Sequence, residues 1–328
     1  MRVNASEQGA ALLAVLLLVA VMSVLAATSL ERLQLATRLA GNIASLDQAR
    51  AYATGAEALA ITRIEELAAR DMVRTTLEGG WVGAESTLPL PDGGLAVARA
   101  WDGGNCFNLN SVVEGGEGRI LVANPVGILQ FAALMRVVGI RESEANRIAV
   151  ALADWIDSDE LPARGGAEDA VYSETAIPYR AANTMVVEPS ELRAVYGVTP
   201  EHYARLRPWL CALPDPALSP INVNTLFPEQ GPLLAMLLPD RLSAREAARI
   251  IAARPDSGWT NISEFWRQPA LAALDPPSEV IAQPQIRTRW YRLDLEIRLG
   301  DIALEQSALI DSALSPARVV SRRWGADE

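Results

Sequence analysis

Residues Ala10 to Ala27 (AALLAVLLLVAVMSVLAA) form a run of 18 residues with no charge and one polar side chain, Ser23. As a helix rising 1.5 Å per residue, the run covers about 27 Å, close to the roughly 30 Å hydrocarbon core of a bilayer. The segment in front of it, Met1 to Gly9, is short and polar, and Arg2 is its only cation besides the amino terminus. The expected topology is a single membrane pass, with the N-terminus in the cytoplasm and the chain beyond about residue 30 outside. Three fates are open to the run. It is a buried core helix, or the apolar part of a signal peptide cut after Val24-Leu25-Ala26-Ala27, or a retained anchor preceded by a cut between Gly9 and Ala10.

The following residues favour retention. From Ala10 to Glu78 there is no Pro, the only glycines are Gly41 and Gly55, and good helix formers dominate. The spacing predicts nearly continuous helix over this span, about 100 Å long. Beyond the apolar run a helical stripe continues through Leu30, Leu33, Ala36, Leu39, Ala40, Ile43, Leu46, Ala49, Ala53, Ala56, Leu59, Ala60, Ile64 and Leu67. Charged residues such as Glu31, Arg38, Asp47 and Glu57 lie between its members. A hydrophobic helix running without a break into an amphipathic one resembles the architecture of pilins. Glu7-Gln8-Gly9-Ala10-Ala11-Leu12-Leu13-Ala14 likewise resembles a type IV prepilin leader (residues 1–9) followed by a mature N-terminus. Pilins usually carry Glu at mature position five, where this chain has Ala14.

The rest of the chain divides into β-rich flanks and a helical middle. Leu88 to Trp101 reads as strand, Asp-Gly-Gly turn, strand. Gln285 to Leu299 alternates apolar and polar, Gly300-Asp301 makes a turn, and Ile302 to Ile310 follows as a further strand. Between these regions, about 112–282 is mostly helical. The fold expected is α+β: a pilin-like long helix packed on a small antiparallel sheet, with a large all-α domain inserted. The divisions are 1–9 leader, 10–29 membrane or filament-core helix, 30–111 first part of the head, 112–282 insert, 283–314 C-terminal strands and 315–328 tail. The tail, with Arg318, Arg322, Arg323 and Trp324, carries no pattern that assigns it an element and reads as disordered.

The insert contains a quasi-repeat. Phe107-Asn108-Leu109-Asn110-Ser111 matches Ile221-Asn222-Val223-Asn224-Thr225, and each string precedes two apolar helical patterns. The Asn side chains suit helix caps and turns. The second copy resembles the helix-hairpin-helix modules of competence DNA receptors, so two helix-hairpin-helix or SAM-like repeats are expected. That raises a rival function, a membrane-anchored DNA receptor. Against it, the hairpin Leu238-Pro239-Asp240-Arg241-Leu242-Ser243 has no Gly and adds an acid. With 29 basic against 40 acidic residues the net charge is −11, unsuited to phosphate contacts, and no nucleic-acid partner is expected.

The segment richest in chemistry is Asp154-Trp155-Ile156-Asp157-Ser158-Asp159-Glu160 with Glu168-Asp169 after a Pro162 and Gly165-Gly166 turn. Asp154 and Asp157 share a helix face, and Asp157-x-Asp159 is similar to the opening of a calcium loop. A solvated acidic turn is the competing reading on spacing alone. All-oxygen donors suit Ca²⁺ better than Zn²⁺, and a single histidine, His202, and two cysteines rule out a His-rich or four-Cys metal centre. There is no G-x-S-x-G, Gly-rich phosphate loop or H-E-x-x-H, so no enzyme is expected.

The string Trp155, Asp157, Asp159, Gly166, Ala167, Glu168, Asp169, Tyr172 resembles the signature of the type II secretion system protein K family. The apolar residue at Ala14 and the large insert point the same way. This resemblance implies a minor pseudopilin at the tip of the pseudopilus, starting or capping the filament with I- and J-type minor pseudopilins. It implies an anchor in the bacterial inner membrane with the bulk of the chain in the periplasm, cleavage by a prepilin peptidase after Gly9 and N-methylation of Ala10. It also implies calcium, with Asp157, Asp159, Glu168 and Asp169 as first ligands and Asp154 as a weaker one. In the periplasm Cys106 and Cys211 can pair as a disulfide, the other reading being two separate buried thiols.

Overall fold

The computed structural model describes residues 5–116 and 120–325, with backbone alone at 5–11 and 92. Helix α1 runs from Ala5 to Arg70, 66 residues and about 99 Å. Gly9 and Ala10 lie on its backbone, and residues 1–4 of the expected leader lie outside the described residues. From Leu12 the helix is long and apolar enough to cross a membrane, and that apolar stretch is not buried within the chain. Leu30, Leu33, Leu35, Leu39 and Ile43 are exposed, whereas Ala49, Ala53, Ala56 and Ile64 are buried. The stripe read from the sequence is thus covered only in its second half. The helix stops short of Glu78 because Asp71 Oδ1 accepts hydrogen bonds from Val73 N (2.8 Å) and Arg74 N (3.2 Å). That local turn offers the backbone an alternative to the next helical one.

After α1 come β1 (Ser86–Pro89) and β2 (Leu95–Asp102). The chain then leaves the sheet through the short strands β3 (Phe107–Asn108), β4 (Val113–Glu114) and β5 (Val122–Ala123). Helices α2 (Pro125–Val137), α3 (Glu142–Ile156), α4 (Asp169–Ser173) and α5 (Pro200–Leu206) follow. Strand β6 (Leu210–Cys211) pairs in parallel with β3. Helices α6 (Gly231–Ala235), α7 (Ala244–Ala252), α8 (Ile262–Trp266) and α9 (Ser278–Ile281) complete the helical part. Then β7 (Trp290–Leu299), β8 (Ile302–Asp311) and β9 (Arg318–Trp324) finish a five-stranded antiparallel sheet of order β1-β2-β7-β8-β9.

The sheet buries one face on α1. Tyr291, Leu293, Leu295 and Ile297 alternate along β7 and join Ala308, Ile310 and the α1 alanines in one core. Within the expected tail, Arg318–Trp324 is strand β9 and not disordered, while residues 326–328 lie outside the described residues. The strand pairs with β8 from Gln306↔Trp324 to Asp311↔Arg318, with a register shift between Leu309 and Ile310. As a largely exposed edge strand it needs no apolar alternation, which hid it in the sequence.

The helical part has its own core, containing Phe107, Phe131, Leu152, Ile156, Trp259 and Phe265. It is inserted between two directly paired strands: Asp102 at the end of β2 faces Tyr291 near the start of β7. The joint is a polar network. Asp102 Oδ2 accepts from Thr225 Oγ1 (2.6 Å) and from the Thr288 hydroxyl, and Oδ1 accepts from Gly104 N (3.0 Å). Burial pushes the Asp102 carboxyl above the usual carboxylate range despite these donors. Asn222 reaches Thr75 O (3.2 Å), just past the end of α1. The insert therefore sits at the end of the head farthest from the apolar run.

The two Asn strings make matching bonds. Asn108 Oδ1 accepts from Asn110 N (3.2 Å), and Asn222 Oδ1 from Asn224 N (2.9 Å). Asn110 clasps the Val186 peptide through N–H and C=O at 2.8 and 2.9 Å, and Asn224 clasps that of Trp259 at 2.8 and 3.0 Å. Ser111 Oγ donates to Asn108 O (2.6 Å), and Thr225 Oγ1 takes the matching position 3.1 Å from Asn222 O while its proton goes to Asp102.

Candidate metal centre

The acidic cluster forms where α3 runs out. Asp154 lies in its last turn and Asp157 is the residue that ends it, its N–H still bonded to Ala153 O (2.8 Å). A loop then leads through Asp159 to Glu168, the residue preceding the first turn of α4. One carboxylate oxygen from each of Asp157, Asp159 and Glu168 lies within 4.8 Å of the others. Asp157 and Glu168 are buried and Asp159 is exposed, so the group forms a cup open on one side.

The bonds these carboxylates lack are informative. Asp157 Oδ1 and both oxygens of Glu168 are shut off from solvent without a hydrogen-bond partner. Orphaned buried acceptors are costly in water-free surroundings. Burial, followed by repulsion from Asp159 and Asp154, raises the Asp157 carboxyl to about 6. Burial, followed by repulsion from Asp154, Asp157, Asp159 and Asp169, raises that of Glu168 to about 7. A hard divalent cation fits such a donor set: it takes oxygen ligands and cancels the repulsion.

The other two acids are engaged elsewhere. Asp154, 1% exposed, accepts from Ala163 N with both oxygens (3.3 and 3.1 Å) and also from the amide of Ala167. It fastens the 163–167 loop to α3. Gly166 lies so close that an added Cβ would collide with Asp154 Oδ2, so only glycine fits there. Asp169 Oδ1 accepts from Ala181 N (3.0 Å), and Oδ2 is 3.7 Å from Arg180. The structure therefore brings together Asp157, Asp159 and Glu168 and turns Asp154 and Asp169 to the surrounding loops. Trp155, Tyr172 and Tyr179, from the same stretch of chain, pack with ring centroids 5.1 to 6.1 Å apart. Asn183 clamps the cluster from outside the acidic motif: its N–H donates to Trp155 O (2.9 Å) and its Nδ2 to Asp159 O (3.4 Å).

The remaining candidates occupy other parts of the molecule. Cys106 and Cys211 are joined as a disulfide with Cα atoms 5.7 Å apart, next to the β3–β6 pairing. His202 belongs to the cap of α5, its N–H donating to Thr199 Oγ1 (3.2 Å). In the second hairpin Asp240 has φ +59°, and its carboxylate pairs with Arg136 at 3.2 Å.

Two family models, each described as type II secretion system (T2SS), protein K, match residues 105–215 and 221–287. The chain is 36% identical to type II secretion system protein K of Pectobacterium carotovorum subsp. carotovorum, over 97% of each chain. It is 35% identical to the protein of that name in Aeromonas hydrophila, over 90% of each. Among solved structures it is similar to a chain in the GspK-GspI-GspJ complex of the enterotoxigenic Escherichia coli type 2 secretion system. There the TM-score is 0.75 and the identity 28%, covering 86% of this chain and 98% of that one. With the two family matches spanning the insert and relatives alike along nearly the whole length, the chain belongs to the type II secretion system protein K family.

Proposed function

We propose that this protein is a minor pseudopilin at the pseudopilus tip, where it starts or caps the filament together with I- and J-type minor pseudopilins. The observation that carries this reading is the placement of bulk along α1. The membrane-length half of the helix is bare, the second half lies under the sheet, and the insert is joined beyond the helix end through Thr75, Asp102 and Asn222. The bare half packs against partner helices, first in the inner membrane and then in the filament. The insert leaves room for subunits below it and obstructs any above. The solved complex supports the choice of partners, because the similar chain there comes from an assembly of K, I and J proteins. The protein acts by shape and contact, without catalysis. The two Asn-string units are best read as helix-hairpin-helix or SAM-like repeats used as scaffolding, supported by their matching hydrogen bonds.

The site formed by Asp157, Asp159 and Glu168 holds Ca²⁺. The ion supplies positive charge that lets three close carboxylates stay ionised together and joins the loop after α3 to the start of α4.

Intact mass and copurification test the assembly role. Full-length protein from membranes is expected to have lost residues 1–9 and gained one methyl on Ala10, and to copurify with I- and J-type partners. A mature chain beginning near residue 28 would leave no helix for the shared bundle and would overturn the reading.

A further inference from the structure

The face of α1 that carries the sheet continues beyond it toward the membrane. Eighteen residues make five full turns of a regular helix, so positions eighteen apart share one line along it. Ala49, Ala53 and Ala56, buried in the core under the sheet, are therefore in line with Glu31, Leu35 and Arg38. Five turns nearer the membrane the same face is exposed, and its alanines have given way to an acid, a leucine and a base. Among the described residues neither Glu31 nor Arg38 has an ion-pair partner.

Their surroundings are not those of a solvated helix face. Leu30, Leu33, Leu35, Leu39 and Ile43 are all exposed and lie past the charge-free run that ends at Ala27. A helix apolar on most of its sides is one that other chain surrounds. Position restricts what that chain is. Just outside the bilayer, in continuity with the membrane-length run, a neighbour lying along these residues is another helix leaving the same membrane, and so a parallel one. An acid and a base two turns apart, about 10 Å along the axis, must be answered inside such a bundle, because an enclosed charge without a partner is costly. Charges beside an apolar helix seam decide which partner binds and in what orientation.

We propose that Glu31 and Arg38 select one neighbouring helix and set its register. The neighbour is a parallel helix of an I- or J-type minor pseudopilin, packed beneath this protein's own sheet, with a base opposite Glu31 and an acid opposite Arg38. Leu35, between the two charges, supplies the apolar contact. The proposal rests on the assembly role given above and adds the residues that decide which subunit stands under the sheet.

The test is copurification. Tagged full-length protein is produced together with the I- and J-type proteins of the same secretion system and extracted from membranes in detergent, as wild type, Glu31→Arg, Arg38→Glu and the double variant Glu31→Arg with Arg38→Glu. Each single reversal is expected to lower recovery of a partner about tenfold or more, because like charges then face each other across the contact. The double variant keeps the wild-type net charge with its order reversed, and is expected to recover no more partner than the single ones. Wild-type recovery in the double variant would mean that only net charge counts; wild-type recovery in both single variants would mean that water alone answers the charges. Either result overturns the proposal. The substituted residues lie outside both cores, so the melting temperature of the head is expected to be unchanged; a loss of recovery that comes with a lower melting temperature would count against the proposal. Failure of the wild type to retain either partner would instead overturn the assembly role.

Discussion

Arg322 in the last strand closes on Glu57 in the C-terminal part of α1, Nε to Oε2 at 2.8 Å with a second bond from Nη2 to Oε1. Glu57 is 4% exposed and also accepts from Gln306 Nε2. A carboxylate inside an otherwise apolar helix–sheet interface is tolerated only because a cation reaches it from β9. Removing one partner strands the other charge. Arg322→Ala is expected to lower stability by about 2–3 kcal/mol, somewhat under the range for fully buried pairs because Arg322 is partly exposed. The double change Glu57→Gln with Arg322→Ala is expected to recover part of that loss. Thermal unfolding of Arg322→Ala, Glu57→Gln and the double variant checks both; additive losses in the double variant would refute the coupling.

The metal site gives the protein a pH signature that calcium inverts. Without calcium, Glu168 and Asp157 have folded-state values of about 7 and about 6, above their unfolded values of 4.5 and 3.8. The folded state therefore holds more protons than the unfolded state between roughly pH 4 and 7, and stability falls as pH rises through that window. In chelator the melting temperature is expected to be lower at pH 8 than at pH 5.5. With millimolar calcium the slope should reverse, since the ligands must lose their protons to bind. Parallel pH curves with and without calcium would contradict the site.

Gly166→Ala pushes a methyl group onto Asp154, which is fixed by the amides of Ala163 and Ala167. The expected cost is about 1–3 kcal/mol, as for other overpacked interiors. Because the displaced loop leads directly to Glu168, calcium affinity should fall as well. Melting in chelator and calcium titration read the two effects separately.

The Cys106–Cys211 bond closes a loop with a sequence separation of 105 residues, enclosing the whole metal site. In the chain-entropy model a loop of that size contributes about 4–5 kcal/mol. A Cys106→Ser, Cys211→Ser variant is expected to unfold at markedly lower denaturant than wild type. Guanidinium titration with and without reductant checks this; equal midpoints would remove the disulfide from the stability of the insert.

The features legible in sequence were those with a period or a composition. The stripe from Ala49 to Ile64 and the alternation after Trp290 record which side chains meet apolar surroundings, the charge-free run shows in composition, and the hairpin of Leu88–Trp101 shows in its turn. The acidic cluster was legible as a density of like charge. Other features depend on backbone groups that a sequence does not display. Asp154 reads as another acid of the cluster until the amides of the 163–167 loop are seen to occupy it. Asn183 lies 14 residues past Asp169, where no spacing rule connects it to the site. Glu57 reads as a solvated charge on a helix face, and β9 as an unpatterned tail, because each explains the other and neither is intelligible alone.

The helical insert leaves and rejoins the sheet from neighbouring rungs, Asp102 and Tyr291. Its two chain ends thus start side by side, and the ladder between β2 and β7 forms whether the excursion is long or short. Such a graft can grow, shrink or acquire new loops over evolutionary time while the stem beneath keeps the same fit to its neighbours. Changes of loop length in the crown are then expected to leave the fit of the stem to its neighbours intact.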